Sequence, residues 1–182
     1  MKRIKKYVAI GPESTGKSTL CMQLAAHYNT LWCPEYARAY LETNGTDYSY
    51  DDLLTIAQGQ LNQEDDLTAQ TANGDGPPLL FVDTDMYVMK VWCEFVFGKC
   101  HRFILDQIAE RKYDGYFLCN LDLPWQKDNL REYPDEKIRQ ELFHYYRELL
   151  TAQDVPWIEI KGNDESRTRS AIDWLDNLPI GL

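Results

Sequence analysis

Short apolar runs alternate along this chain with longer segments whose apolar residues recur at helical spacing. Each apolar run is followed by turn-forming or polar residues, a pattern typical of buried β-strands. Five strands are predicted in this way, at residues 6–10, 30–33, 79–82, 116–119 and 157–160. Regular alternation of strands and helices favours a parallel sheet, because the helices then serve as crossover connections. We therefore expect a three-layer α/β sandwich in which a five-stranded parallel sheet carries helices on both faces.

Three of the intervening segments carry an apolar stripe at helical spacing. These stripes comprise Leu20, Leu24 and Tyr28; Ile138, Leu142, Tyr145 and Leu149; and Ala171, Trp174, Leu175 and Leu178. Pro134 precedes the second stripe and is a candidate for the first turn of that helix. Residues 50–71 also show a helical pattern but are mostly polar, so we expect only one narrow side of that helix to pack. The carboxyl ends of all the strands should share one edge of the sheet, where ligands of such folds bind.

Composition and charge narrow the class of protein. The 182 residues, 44% hydrophobic and 26% charged, suit one soluble domain over residues 1–182. No apolar run is long enough to cross a membrane and no signal segment follows the basic start, so we expect a cytoplasmic location. A formal net charge of -10 argues against a nucleic-acid partner and favours a small molecule. The five cysteines lack zinc-site spacing and are interpreted as structural thiols. The oligomeric state stays open.

A phosphate-binding motif follows the first predicted strand. The pattern Gly-x-x-x-x-Gly-Lys-Ser occurs here as Gly11-Pro12-Glu13-Ser14-Thr15-Gly16-Lys17-Ser18, between an apolar strand and an amphipathic helix. The backbone amides of such a loop and the N-terminus of the next helix attract phosphate oxygens. We expect Lys17 to reach the terminal phosphates of ATP and the Ser18 hydroxyl to complete a Mg²⁺ shell, with Thr19 next to it in the helix. ATP and Mg²⁺ are therefore the predicted cofactors.

Two carboxylates lie where the third predicted strand ends. Asp83 follows the apolar run 79–82 directly, and Thr84 separates it from Asp85. An aspartate that ends the strand beside a phosphate loop can hold Mg²⁺ through water, and Asp83 is interpreted in this way. Asp85 is interpreted either as a substrate-binding residue or as the N-cap of a helix that begins near Met86.

Residues 33–38, after the second strand, offer the groups that a phosphoryl acceptor needs. A positioned base must orient the acceptor hydroxyl and take its proton, and Glu35 is predicted for this role. Tyr36 and Arg38 are predicted to bind the acceptor, and Arg38 could also offset the charge of the transferring group. The structural alternative is a Glu35–Arg38 pair within one helix. Either strand-terminal aspartate remains an alternative base.

A polar segment punctuated by proline, residues 120–132, follows the fourth strand and has the composition of a mobile loop. Such a loop can close over a kinase site and exclude water during transfer. Lys127 and Arg131 could add positive charge, and the planar guanidinium of Arg131 suits phosphate better. A solvated loop without this role is the alternative. Trp92 is interpreted as a core residue, and residues 161–164 either adjoin the adenine base or form an ordinary turn and helix cap.

Together these motifs resemble the NadR-type ribosylnicotinamide kinase domain of the AAA-type or P-loop ATPase class. The resemblance rests on residues 11–20, 34–38, 81–85 and 123–132, in the same order as in the family. In that family the domain is often fused to a nucleotidyltransferase and sometimes to a helix-turn-helix module. The sequence shows the pattern of neither module, so a stand-alone domain is expected. The resemblance also implies that Trp125, Asp128 and Arg131 form a lid that contacts the substrate. Asn129 replaces a family glycine, and asparagine tolerates the left-handed backbone angles that a glycine there would permit.

The function implied by this resemblance is ATP-dependent phosphorylation of the 5′-hydroxyl of nicotinamide riboside, which gives the mononucleotide for NAD biosynthesis. One alternative is a P-loop kinase for another nucleoside or a small alcohol. The other is a regulatory module that controls a partner through nucleotide occupancy. The choice between ATP and GTP stays open.

Overall fold

The computed structural model describes residues 2–130 and 132–178, and at its centre lies a five-stranded parallel sheet. The strands are β1 (Lys5–Ile10), β2 (Leu31–Cys33), β3 (Leu79–Asp83), β4 (Gly115–Cys119) and β5 (Trp157–Ile160). They lie in the order β2-β3-β1-β4-β5, and every neighbouring pair is parallel. The crossovers place the carboxyl ends of β1 and β3 next to each other, so the phosphate loop and Asp83 meet at one edge. The predicted α/β class and sheet are confirmed.

Seven helices are described around the sheet: α1 (Lys17–Tyr28), α2 (Tyr36–Asn44), α3 (Tyr50–Asn73), α4 (Met86–Phe97), α5 (Arg102–Glu110), α6 (Glu136–Thr151) and α7 (Asp164–Asn177). Side chains of β1 alternate between the two faces, as a strand requires. Tyr7 and Ala9 pack with α1 and α7, whereas Val8 and Ile10 pack with α4 and α6. A third cluster joins α2, α3, α4 and α5. None of the described helices is both long and apolar enough to span a membrane.

Helix α6 differs from its predicted form in two respects. Its N-cap is Asp135, whose carboxylate accepts the N–H of Ile138, so Pro134 precedes the cap and the prediction of a first-turn proline is wrong. The apolar residues that it buries are Leu142, Phe143, Tyr146 and Leu150. Of the predicted stripe only Leu142 is buried, while Ile138, Tyr145 and Leu149 are half-buried. Apolar residues cover two adjacent sides of this helix, and packing against β4 and α4 decides which side is buried.

A buried ion pair fixes α3 against the sheet. Glu64 is fully buried, and its carboxylate lies 2.5 Å from Lys6 Nζ of β1. The Tyr113 hydroxyl donates to the same carboxylate at 2.8 Å, and Arg111 Nη1 lies 3.4 Å away. A buried carboxylate needs such partners to offset its desolvation. Because α3 is held at Glu64, the helical turn that precedes this residue lies at a fixed position beside the ends of β2 and β3.

Candidate active site

A cavity of about 260 Å³ lies at the edge of the sheet where β1, β2 and β3 end. The phosphate loop forms its floor, the start of α2 forms one side, and faces of α4 and α6 form the opposite wall. The last residues before α6 cover part of the opening. Every residue that the sequence assigned to nucleotide binding lines this cavity: Gly11, Ser14, Thr15, Gly16, Lys17, Ser18 and Thr19.

The phosphate loop is closed by its own hydrogen bonds. Thr15 Oγ1 donates to the Pro12 carbonyl at 2.8 Å, and Lys17 Nζ donates to the same oxygen at 3.0 Å. Gly16 has φ 78°, a left-handed conformation that glycine adopts without strain, and it forms the N-cap of α1. The positive end of α1 therefore points at the loop, the arrangement that attracts phosphate in P-loop proteins.

Ser18 and Asp83 form the arrangement expected of a metal-side pair. Ser18 Oγ donates to Asp83 Oδ2 at 2.5 Å, and Asp83 is fully buried. Burial and the nearby charge of Glu35 raise the pKa of Asp83 to about 6, and Lys17 works in the opposite direction. Within residues 2–130 and 132–178 no group of three or more His, Cys, Asp or Glu side chains could hold a metal ion alone. Two oxygen donors beside a phosphate site suit Mg²⁺, which usually takes its other ligands from phosphate and water.

Asp85 caps α4 and does not line the cavity. Its carboxylate accepts the N–H of Tyr87 at 2.9 Å and that of Val88 at 3.3 Å, and the Tyr116 hydroxyl donates to it at 3.0 Å. Only 1% of Asp85 is exposed, and burial raises its pKa to about 7. Thr84, with φ 78°, turns the chain between the two aspartates, so that they point in different directions. Of the two interpretations of Asp85, the geometry corresponds to the helix cap.

The acceptor-side motif divides between the cavity and the core. Glu35 and Arg38 line the cavity, and Glu35 precedes α2 without making a side-chain capping bond. Arg38 Nη1 lies 3.1 Å from Asp128 Oδ2, and the described ion pairs of Arg38 do not include Glu35. Tyr36 does not line the cavity. A Cβ placed on Gly59 would lie 2.2 Å from the Tyr36 ring, so this ring packs directly on the backbone of α3.

Gln60 of α3 holds the two strand ends of the site together, a role that the sequence interpretation missed. Its Oε1 accepts the backbone N–H of Tyr36 at 2.7 Å, and its Nε2 lies 3.4 Å from the carbonyl oxygens of both Pro34 and Asp83. The side chain is 1% exposed. Its position on the apolar side of α3, between Ala57 and Leu61, is the signal that could have identified it, because a buried amide must find partners.

The wall opposite Glu35 is apolar and aromatic. It is formed by Val88, Val91, Trp92 and Phe95 of α4 with Leu142 and Tyr146 of α6. Trp92, interpreted as a core residue, lines the cavity as well as packing against the third cluster. Its indole N–H donates to the Tyr48 hydroxyl at 2.9 Å, and that hydroxyl donates to Glu132 at 2.8 Å. The ring is thereby held in place at the cavity surface.

Residues 120–135, here called the lid segment, have no helix or strand in their described part and run along the phosphate loop. Arg131, predicted to be catalytic, lies outside the described residues. Trp125 and Asp128 are not among the residues that line the cavity, although Asp128 reaches it through its ion pair with Arg38. The exposed Lys127 does not line it either. The positive backbone angle considered for Asn129 is not adopted.

Arg167 of α7 is a second residue that the sequence interpretation missed. Its guanidinium is 3% exposed and donates to three carbonyl oxygens, those of Thr15 and Asn120 at 2.9 Å and that of Gly162 at 2.8 Å. It also forms an ion pair with Asp122. One side chain therefore joins the phosphate loop, the start of the lid segment and the loop before α7. Asn163 caps α7 by accepting the N–H of Ser166 at 2.9 Å, as the structural alternative for this loop predicted.

Comparison with known families identifies one sequence match over most of the chain. A model of the AAA domain family matches residues 6–167. The trifunctional NAD biosynthesis/regulator protein NadR of Escherichia coli (strain K12) is 30% identical over 165 residues, which are 88% of this chain and 39% of that protein. The NadR of Salmonella typhimurium gives the same identity and coverage. The predicted resemblance to NadR-type proteins is confirmed, and the chain spans about two fifths of the length of these relatives.

Solved structures share the fold. A NadR protein in complex with NR has a TM-score of 0.69 and 25% identity, over 94% of this chain and 48% of that one. A NadR protein in complex with NAD and AMP-PNP has a TM-score of 0.67 at 21% identity, over 98% of this chain and 51% of that one. A deoxyadenosine kinase from M. mycoides, with a TM-score of 0.61 and 11% identity, matches 95% of this chain and all of its own. The P-loop kinase-like fold is therefore confirmed.

Proposed function

This chain belongs to the AAA domain family, and on that premise we propose that it is an ATP- and Mg²⁺-dependent kinase for nicotinamide riboside. It transfers the terminal phosphoryl group of ATP to the 5′-hydroxyl and so supplies the mononucleotide for NAD biosynthesis. One observation carries the proposal: a single cavity joins the phosphate loop to an aromatic wall, with Glu35 lining it. Nucleotide and acceptor can therefore meet in the same cavity.

The phosphate side of the site holds and neutralises the nucleotide. Lys17 now bonds a loop carbonyl, and a terminal phosphate is a stronger partner for its ammonium group than that carbonyl. Ser18 and Asp83 would hold Mg²⁺, directly or through water, and the hydrogen bond that joins their side chains supports this assignment. When bound, the ion would neutralise charge on the phosphates as the bond to the leaving ADP breaks. The raised pKa of Asp83 means that this pair is best prepared for a cation above about pH 6, where the carboxyl is ionised.

The acceptor side supplies a base and a positive charge. The Glu35 carboxylate can take the proton of the 5′-hydroxyl as its oxygen attacks the terminal phosphorus. Arg38 lines the same cavity and would offset the charge of the transferring group. The two aspartates are engaged otherwise, Asp83 with Ser18 and Asp85 with the N-terminus of α4. Glu35 is therefore the carboxylate that the geometry favours as the base.

A cationic flat ring fits the remaining surface of the cavity. Nicotinamide riboside carries a pyridinium, and aromatic faces such as those of Trp92 and Tyr133 attract a flat cation. Glu13 and Glu132 also line the cavity and add negative charge. The complex of a NadR protein with NR supports this assignment, since that protein has the same fold over 94% of the present chain.

The test is detection by mass of phosphorylated product from the purified chain, ATP and Mg²⁺ with a panel of nucleosides and small alcohols. We expect product from nicotinamide riboside at a rate well above that with any other acceptor. Lys17→Ala should abolish it, and Lys137→Ala, on the exposed side of α6, serves as the matched control. Preference for a neutral nucleoside would reassign the substrate. ATP binding with no product from any acceptor would overturn the kinase and favour a regulatory module.

A further inference from the structure

Two successive residues of the phosphate loop fasten the lid segment by hydrogen bonds. Both carboxylate oxygens of Glu13 lie 3.0 Å from the backbone nitrogen of Glu132, and Oε1 also accepts the N–H of Tyr133. Ser14 Oγ accepts the backbone N–H of Gln126 at 3.0 Å. These five residues are here called the clasp. The clasp holds the lid segment at two points that are six residues apart in sequence.

The chemistry of the Glu13 contact is that of an anion bound by backbone amides. Consecutive N–H groups of an irregular segment have no helix or strand partner, so they need another acceptor. A carboxylate satisfies two of them with charge-assisted hydrogen bonds, which are shorter and stronger than neutral ones. Glu13 is the residue of the phosphate loop that offers two such oxygens. A neutral side chain at this position could not hold both amides equally well.

The clasp depends on the conformation that the loop uses for phosphate. Ser14 has φ 57°, a left-handed angle that is unfavourable for a residue with a Cβ. This angle sets both the path of the loop backbone around the cavity and the direction in which the serine side chain leaves it. A loop that relaxes away from its phosphate-binding form would therefore turn Ser14 away from Gln126.

Charge couples the clasp to the nucleotide as well. Burial raises the pKa of Glu13, and the Tyr133 and Glu132 amides together with the charge of Lys17 lower it. When phosphates draw the ammonium group of Lys17, the carboxylate keeps the two lid amides as its nearest favourable partners. Opening the lid would then leave the Glu13 carboxylate close to the negatively charged phosphates and without its two amide partners.

We propose that Glu13 is a positioning residue that keeps the lid segment closed while the phosphate loop holds nucleotide, so that water is excluded during transfer. The role of Glu13 in excluding water during transfer rests on the kinase function proposed above. The clasp itself can be measured with nucleotide alone, so failure of one proposal is distinguishable from failure of the other.

The experiment is hydrogen exchange by mass spectrometry on a peptide covering residues 124–135, with and without AMP-PNP and Mg²⁺. In the wild-type protein we expect the amides of Glu132 and Tyr133 to be protected, and more strongly with nucleotide bound. In Glu13→Ala their exchange with nucleotide present should rise at least about tenfold, since the lost bonds are charge-assisted. Glu13→Gln should lie between the two, and Glu141→Ala on the exposed side of α6 should match wild type.

A second readout separates positioning from a merely structural role. Glu13→Ala should still bind AMP-PNP, with a loss of affinity no larger than the factor by which nucleotide raises the protection of the two amides in wild type. It should also show an increased ratio of ATP hydrolysis to phosphoryl transfer. Unchanged exchange in both Glu13 variants would overturn the proposal, and so would loss of nucleotide binding, because Glu13 would then act on the loop alone. If Glu13→Ala does not fold, Glu13→Gln gives the same measurements, and wild-type exchange in that variant contradicts the clasp.

Discussion

The phosphate edge and the acceptor wall of one cavity are built in different ways. The phosphate edge consists of the consecutive residues 11–19. They form a loop and the start of a helix, and hydrogen bonds within this stretch close the loop. The acceptor wall draws single side chains from α2, α4, α6 and the lid segment. Chemistry common to all nucleotides can be encoded in a local motif. Recognition of one acceptor requires residues that only the tertiary fold brings together. Substitutions in the acceptor wall can therefore alter acceptor binding while the phosphate edge stays the same.

The sharpest test of the acceptor side is Glu35→Gln. The amide keeps the shape of the side chain but cannot take a proton, so kcat for phosphoryl transfer should fall about 10²- to 10⁴-fold. The affinity for ATP should stay close to that of wild type, because the phosphate edge is intact. Steady-state kinetics and nucleotide titration measure the two effects. Retention of full kcat would exclude Glu35 as the base and return that role to Asp83.

Arg167→Met tests whether the phosphate edge needs support from outside its motif. The change leaves the buried carbonyl oxygen of Thr15, two part-buried carbonyl oxygens and Asp122 without the guanidinium, so the free energy of unfolding should fall by about 3 kcal/mol. The affinity for ATP should fall as well, since the Thr15 carbonyl loses its anchor. Urea unfolding and nucleotide titration provide the measurements. Arg169→Met, on the exposed side of the same helix, is the control, and equal losses in the two variants would contradict a specific role.

The pH dependence of the free energy of unfolding tests Asp85, the buried carboxyl group that caps α4. The pKa of Asp85 is about 7 in the folded protein against an ordinary value of 3.8, so the folded state holds the proton more tightly than the unfolded state. The stability that protonation gives is present at low pH and is lost as the pH rises through 7. Asp85→Asn should remove about 2 to 3 kcal/mol of the decline in unfolding free energy between pH 5 and pH 8. Asparagine can still cap the helix.

Denaturant unfolding of both proteins at the two pH values measures this change in slope. Part of the decline should remain in Asp85→Asn, because the pKa of Asp83 is also raised, to about 6. An identical pH dependence in the two proteins would mean that Asp85 is already ionised, or already neutral, across the whole range.

The smallest expected effect concerns the aromatic wall. Trp92→Ala removes a ring face from the cavity and the donor that orients Tyr48, so KM for the acceptor should rise about tenfold. KM for ATP should not change, whereas Trp92→Phe keeps an aromatic face and should lose less. Initial rates with each substrate varied in turn measure both constants. A matching rise in KM for ATP would show that the two regions do not act separately.

The sequence predicted the parts of the molecule that contiguous residues determine. All five strands and the phosphate loop follow from local patterns, as does the Asp83 carboxylate after its apolar strand. Arg167 was not predicted because its partner Thr15 is 152 residues away in the sequence. An arginine in a mostly polar helix also has the pattern of a surface residue. Tyr36 was misplaced for a different reason. Successive helical residues point about 100° apart, so the first turn of α2 sends Arg38 to the cavity and Tyr36 to α3.

The glycine beneath Tyr36 sets a limit on how this protein could be stabilised. Replacing a glycine inside a helix with alanine is a common engineering step and is worth about 1 kcal/mol. At Gly59 the added methyl group would lie 2.2 Å from the Tyr36 ring and would push it away from α3. The backbone N–H of the same tyrosine is held by Gln60, next to the glutamate that faces the acceptor. The clash should cancel the expected gain in melting temperature, and the displaced Tyr36 should lower turnover as well.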